Sequence, residues 1–268
     1  MFTQVLRQNF QRNLISDYLI YADIVYEPWQ IEDAFRILPH TCFSSHALRA
    51  TSLPGTVGNS TVAIAFVRDP VNHAISGYFD LRSRVAGPQH PTTRVGLSEL
   101  TDLWEKSGFE REYAYTFSQL QWLYPNTEEP IRKMSAHHGL GRLLLFPTSR
   151  MNDCLLYLEN LYPDQFTDCS YASRQNVSKK DQELTPETLT KINQLPWMKL
   201  DRELYDFACQ NFDASLQQLF PDEVNLSAAR EDFAQRCLAR RELKPQQQRK
   251  QPLVKRLRSA ARIIIKGQ

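Results

Sequence analysis

The chain has 268 residues, 42% of them hydrophobic and 23% charged, with a net charge of +2; that is enough to bury a real core in one α/β domain or two small ones. No apolar run approaches membrane-spanning length, and Met1-Phe2-Thr3-Gln4 does not open a signal-peptide pattern. The five cysteines, Cys42, Cys154, Cys169, Cys209 and Cys237, are scattered without metal-ligand spacing; they read as reduced, mostly buried thiols, which leads to the expectation of a cytoplasmic protein without a metal site.

Phe2, Val5, Leu6, Phe10 and Leu14 recur at helical spacing and predict an opening helix. Residues 18–28, with Tyr18, Tyr21 and Tyr26 followed by Trp29, read as an irregular connector, and 35–38 as a short strand. Residues 40–48 carry two histidines, His40 and His46, and 54–60 read as a turn.

Residues 62–67 (Val-Ala-Ile-Ala-Phe-Val) form a continuous apolar run of strand length, which suits a strand buried on both faces of a parallel sheet. Arg68, a helix-capping Asp69 and Pro70 follow, and then Val71, Ala74, Ile75, Tyr78 and Phe79 at helical spacing. The reading is a strand, a sharp turn and an amphipathic helix, which aims backbone N–H groups and a positive helix end at the region beyond the strand. Arg68 adds a guanidinium suited to a phosphate, and Ser76 a hydroxyl. Spacing alone fits equally well an ordinary strand–helix junction whose arginine pairs with a carboxylate.

Beyond this unit, Arg82 and Arg84 are either solvated charges or the rim of an acceptor site. Helices are predicted over 97–106 and 113–122, with Tyr113, Tyr115, Phe117 and Trp122 set for a core or for stacking on sugar rings. A second buried strand is predicted at 143–146 and an amphipathic helix over 148–161, beginning at Ser149 or Asn152. Residues 171–180, including Arg174 and Lys179, form a polar, basic loop. Helices follow over 184–195 and 200–220, the latter ended by Pro221, and a last one is capped by Ser227 and runs to about residue 243. Residues 1–243 thus form the domain and 244–268 a basic tail, in which 244–252 is linker-like and 253–266 a short basic amphipathic helix. From Arg236 onward eleven basic residues face a single acid, Glu242, giving +10 and leaving −8 for the rest of the chain. Such an end suits an anionic membrane surface, an acidic polysaccharide or a disordered solubilising tail; nucleic acid is disfavoured because no folded nucleic-acid motif accompanies it.

The segment Phe66-Val67-Arg68-Asp69-Pro70 through Ser76-Gly77-Tyr78-Phe79 resembles the 3′-phosphate-binding motif of sulfotransferases, above all the carbohydrate (Golgi-type) enzymes and their bacterial relatives. Leu144-Leu145-Phe146 with Met151 to Leu158, and Leu200 to Ala208, resemble the family's later strand and helices, so that the likeness spans residues 1–220. It implies a P-loop-like parallel α/β sheet flanked by helices, with a helical C-terminal part. It also implies that 3′-phosphoadenosine 5′-phosphosulfate is the co-substrate, with a hydroxyl of a carbohydrate or glycolipid as acceptor. Arg68 and Ser76 would hold the 3′-phosphate, the loop with Arg174 and Lys179 would fold over it, His46 would be the catalytic base and Arg82 and Arg84 would face the acceptor. The family's Lys-bearing 5′-phosphosulfate loop has no counterpart before residue 55. Either a segment precedes Met1 in the gene or half of the donor site has been lost, and the abrupt start of the likeness at Met1 favours the first. The alternative reading is a non-catalytic nucleotide- or glycan-binding relative.

Overall fold

A computed structural model describes residues 2–10, 14–16, 28–37, 42–44, 62–80, 96, 119–123, 134–135, 143–172, 184–195 and 197–249. The elements in chain order are α1 (Phe2–Phe10), β1 (Leu14–Ser16), α2 (Pro28–Ile37), β2 (Cys42–Ser44), β3 (Ala63–Val67), α3 (Pro70–Asp80) and α4 (Gln119–Leu123). They are followed by β4 (Leu143–Pro147), a 3-10 turn (Thr148–Arg150), α5 (Met151–Leu161), α6 (Pro186–Asn193), α7 (Met198–Leu219) and α8 (Glu223–Arg249). The described residues are mostly helical, with two short two-stranded sheets, both parallel: β1 beside β2 and β3 beside β4.

The β3–β4 pair is the centre. Its register runs from Ala63 opposite Leu143 to Val67 opposite Pro147, so both carboxyl ends stop at the same level. Side chains alternate across the strands as the two-residue period requires. Val67, Leu143 and Leu145 enter one cluster with Leu120, Met134 and α7's Leu204 and Ala208. Phe146, with Ile64, Phe66 and Leu144 packed alongside, enters another, built from α1, α5, α8 and the Phe212 and Leu216 positions of α7. Helices thus cover both faces of this sheet, as a parallel sheet demands. A third cluster joins Ala74, Ile75, Tyr78 and Phe79 of α3 to Ile192 of α6, Trp197 and Met198.

Several expectations change. β3 is less buried than its apolar run predicts: Val67 is buried but residues 63–66 are only half-buried, because among the described residues the strand has a ladder neighbour on one side alone. Of the stretch read as a strand at 35–38, residues 35–37 instead close α2, where Pro28 opens the helix and Ile31 and Phe35 recur at i, i+4. Arg36 also pairs with Asp33 one turn back, at 2.7 Å. The opening helix ends at Phe10, and Leu14, which continues its spacing, begins β1. Ser227 lies inside α8 rather than at its cap; the Asp222 carboxylate accepts from the Val224 N–H at 2.9 Å and the Asp222 carbonyl from the Leu226 N–H at 3.1 Å. The same helix continues to Arg249, through the stretch at 244–249 that composition reads as linker.

Arginines fasten α8 down. Arg230 grips Asp153 of α5 with two parallel bonds of 2.9 and 3.0 Å. Arg236 does the same to Glu159 at 2.9 and 2.7 Å and also reaches Asp168 at 2.9 Å. Arg240 binds Asp168 and the Ser170 hydroxyl. Two of the eleven cations counted from Arg236 onward, Arg236 and Arg240, are therefore held to the folded body, where carboxylates engage them. Cys154, Cys169 and Cys237 are buried, and all five thiols are free. Among the described residues no helix is long and apolar enough to cross a membrane, and no group of three or more metal-ligating side chains gathers.

Candidate functional site

At the carboxyl ends of β3 and β4 the chain turns twice side by side, at Arg68-Asp69-Pro70 and at Thr148-Ser149-Arg150. The first turn is built by its own sequence. The Asp69 carboxylate accepts from the Asn72 N–H at 3.0 Å, the helix-capping bond, while the Asp69 carbonyl accepts from the His73 N–H at 2.8 Å and starts α3. Pro70 has no N–H to offer and Asn72 has spent its own on Asp69. The helix start is therefore partly filled by the chain's own carboxylate, the cap that the sequence predicts at Asp69.

The other oxygen of Asp69 pairs with Arg202 of α7 at 2.5 Å. Partial burial works against the ionised carboxylate, but the Asn72 N–H and the Arg202 guanidinium outweigh it and hold Asp69 below the usual carboxylate value. The cation that neutralises Asp69 is thus Arg202. Arg68, half-buried beside it, has no hydrogen bond or ion pair from its guanidinium among the described residues. Among the described residues no carboxylate engages Arg68, as the ordinary-junction alternative would require.

The backbone of Arg68, in contrast, is fully engaged. Its N–H donates to Oε1 of Gln119 at 2.6 Å, and its carbonyl accepts from Nε2 of the same side chain at 2.7 Å. Gln119 is the first residue of α4 and is buried. The start of α4 is held in turn by Asp201 of α7, fully buried, whose two oxygens accept from the N–H groups of Gln119 and Leu120 at 2.9 Å each. Consecutive residues of α7 therefore act on consecutive residues of the turn: Arg202 on Asp69 directly, and Asp201 on Arg68 through Gln119. On the β4 side the Ser149 hydroxyl is 2.8 Å from that of Tyr205, also on α7. Arg150 pairs with Asp153 at 3.0 Å and with Asp213, and lies over the Phe212 ring.

Ser76 stands in the second turn of α3, four residues on from the exposed Asn72 and so on the same stripe of the helix, away from the buried Ala74, Ile75 and Tyr78. It is half-buried. Arg68 and Ser76 lie in one strand–turn–helix unit, and no hydrogen bond joins their side chains. His46, Arg82, Arg84, Arg174 and Lys179 lie outside the described residues, as does most of the aromatic stretch at 113–122.

Gln119, Asp201, Arg202 and Tyr205 escape the sequence reading. One signal was available for Asp201. The buried positions of α7 run Met198, Asp201, Leu204, Ala208, Phe212, Leu216, so an aspartate occupies a core position of an amphipathic helix, where it must satisfy a buried partner. Nothing local marks Gln119, whose target is 51 residues away. The chain matches no protein-family model and no curated protein.

Proposed function

We propose that this chain is a sulfotransferase-like protein with a P-loop-like α/β build. In this reading it binds 3′-phosphoadenosine 5′-phosphosulfate and passes the sulfuryl group to a hydroxyl of a carbohydrate or glycolipid. Arg68 and Ser76 hold the 3′-phosphate at the mouth of the β3–β4 sheet, where ligands of open parallel sheets bind, and Arg174 and Lys179 fold over it. The acceptor oxygen attacks sulfur in line while the bond from sulfur to the 5′-phosphate oxygen breaks. The acceptor proton passes to His46, and adenosine 3′,5′-bisphosphate leaves. As in phosphoryl transfer, positioning and charge neutralisation supply most of the rate. Arg82 and Arg84 face the acceptor, and the basic C-terminal residues meet an anionic membrane surface.

One observation carries this reading: among the described residues the Arg68 guanidinium at the end of β3 has no hydrogen bond or ion pair, while its carboxylate neighbour is neutralised by Arg202. A phosphate dianion is the natural partner for such a group. Calorimetric titration with adenosine 3′,5′-bisphosphate tests it. Binding should weaken roughly ten- to a hundredfold in Arg68→Ala, the worth of one charge-assisted contact. Equal binding by both proteins, or none by either, removes the assignment. A second reading is a binding protein without transfer. Bisphosphate binding with no sulfuryl transfer from a radiolabelled donor would select it.

A further inference from the structure

We propose that Gln119 is the positioning residue of the Arg68 site, fixing the backbone from which the guanidinium projects. The inference rests on Arg68 as the phosphate ligand and names what controls its placement. Val67 is the last residue of β3 in the ladder, opposite Pro147, and β4 then leaves the sheet in a 3-10 turn. One step further, Arg68 has lost its strand partner but still carries an N–H and a carbonyl. The Gln119 carboxamide meets both, with an acceptor at 2.6 Å and a donor at 2.7 Å, the same pair that a neighbouring strand's backbone presents. A single side chain thus meets both backbone groups of the first residue beyond the ladder, where the phosphate is to be held.

Only glutamine fits this task. Asparagine is one methylene short, ionised glutamate has no donor for the carbonyl, and leucine has neither group. The clamp is itself fixed, because Gln119 begins a helix whose first amides are bound by the buried Asp201. The next residue, Asp69, is fixed separately by Asn72 and Arg202. The backbone N–H and carbonyl of Arg68 are thus taken, and among the described residues nothing engages its guanidinium. Arginine is long, so a small change in its backbone angles displaces the guanidinium far more than the Cα. Holding the backbone removes that source of displacement and narrows the region the cation samples.

The test is a double-mutant cycle on adenosine 3′,5′-bisphosphate binding, read by NMR titration into the millimolar range with the full chain. Wild type against Arg68→Ala comes first; equal or absent binding there removes the Arg68 assignment and this inference with it. Given a loss in Arg68→Ala, Gln119→Leu should weaken binding roughly tenfold or more, and Gln119→Glu, which keeps the acceptor, by less. Gln119→Leu added to Arg68→Ala should cost nothing further, because the clamp acts through the arginine. Leu226→Ala, a buried position of α8 in another cluster, should lower the melting temperature and leave affinity unchanged. Wild-type affinity in both Gln119 variants overturns the inference while Arg68 keeps its role. So does an equal loss in Leu226→Ala, or a full further loss in the double variant.

Discussion

Replacing Asp201 by alanine removes both acceptors at the start of α4 in one step. The N–H groups of Gln119 and Leu120 then stay buried without partners, in residues 7% and 1% exposed. Each unsatisfied buried donor costs about 1–3 kcal/mol, which gives a range of about 2–6 kcal/mol. Water reaching the space left by the carboxylate brings the expected loss to about 3–4 kcal/mol. A domain of this kind has about 5–15 kcal/mol in total, so the variant should fold but melt early. Urea unfolding followed by far-UV circular dichroism should show a lower midpoint with an unchanged slope. Amide exchange should quicken at Gln119, Leu120 and, through the loosened clamp, at Arg68. Asp201→Asn, which retains one acceptor and turns a donor toward the other amide, should cost about half as much. A loss below about 1 kcal/mol with unchanged exchange would refute the reasoning, since both bonds would then be replaceable by water.

Two further predictions concern charge. Asp69, Asp153 and Asp168 are each partly buried, which raises their carboxyl pKa, but donors outweigh burial: Asn72 and Arg202 at Asp69, Arg230 and Arg150 at Asp153, and Ser170 and Arg240 at Asp168. All three titrate below the unfolded value of 3.8 when folded. Their contribution is therefore fully present above that value and disappears as pH falls through the folded values. Urea midpoints between pH 6 and pH 3 should decline steeply only at the acid end, and Asp153→Asn should flatten the decline. Arg236→Ala leaves Glu159, whose side chain is 11% exposed, without its paired guanidinium. The loss should be about 2–3 kcal/mol by chemical denaturation, below the full cost of a broken buried pair because Arg236 is itself about one-third exposed. Arg236→Lys should recover less than half, since a single ammonium cannot reproduce the two-pronged grip; full recovery by lysine would show that charge alone matters.

What the sequence made legible was local. The apolar run before Arg68 and the Asp-Pro that follows define β3, its turn and α3 within a residue or two, because burial, capping and the fixed proline backbone all act over that one stretch. The same holds for β4 and for α7. α2 was lost because a short window around Phe35 and Ile37 is apolar in any conformation, and the aromatic Trp29 masked the helical spacing of its first turn. The pairing of β1 with β2 joins residues far apart in the chain, as does the parallel register of β3 and β4, and neither leaves a local mark. At the site, Arg68 and Ser76 could be named from spacing, but their support could not. Gln119 lies 51 residues from the backbone it clamps, and Asp201 lies 82 residues from the amide of Gln119.

Neighbouring residues on a helix point about 100° apart. With Asp201 committed to α4 and Arg202 to the turn after β3, α7 can neither roll about its axis nor slip along it without breaking at least one of the two attachments. Deleting or inserting a single residue just ahead of the helix, in 194–197, would rotate both side chains off their targets together. The long helix therefore sets the angular phase of both attachments at the sheet's open end, and tolerance to length changes in that short connector should be low, the more so because Trp197 within it is buried against α3 and α6.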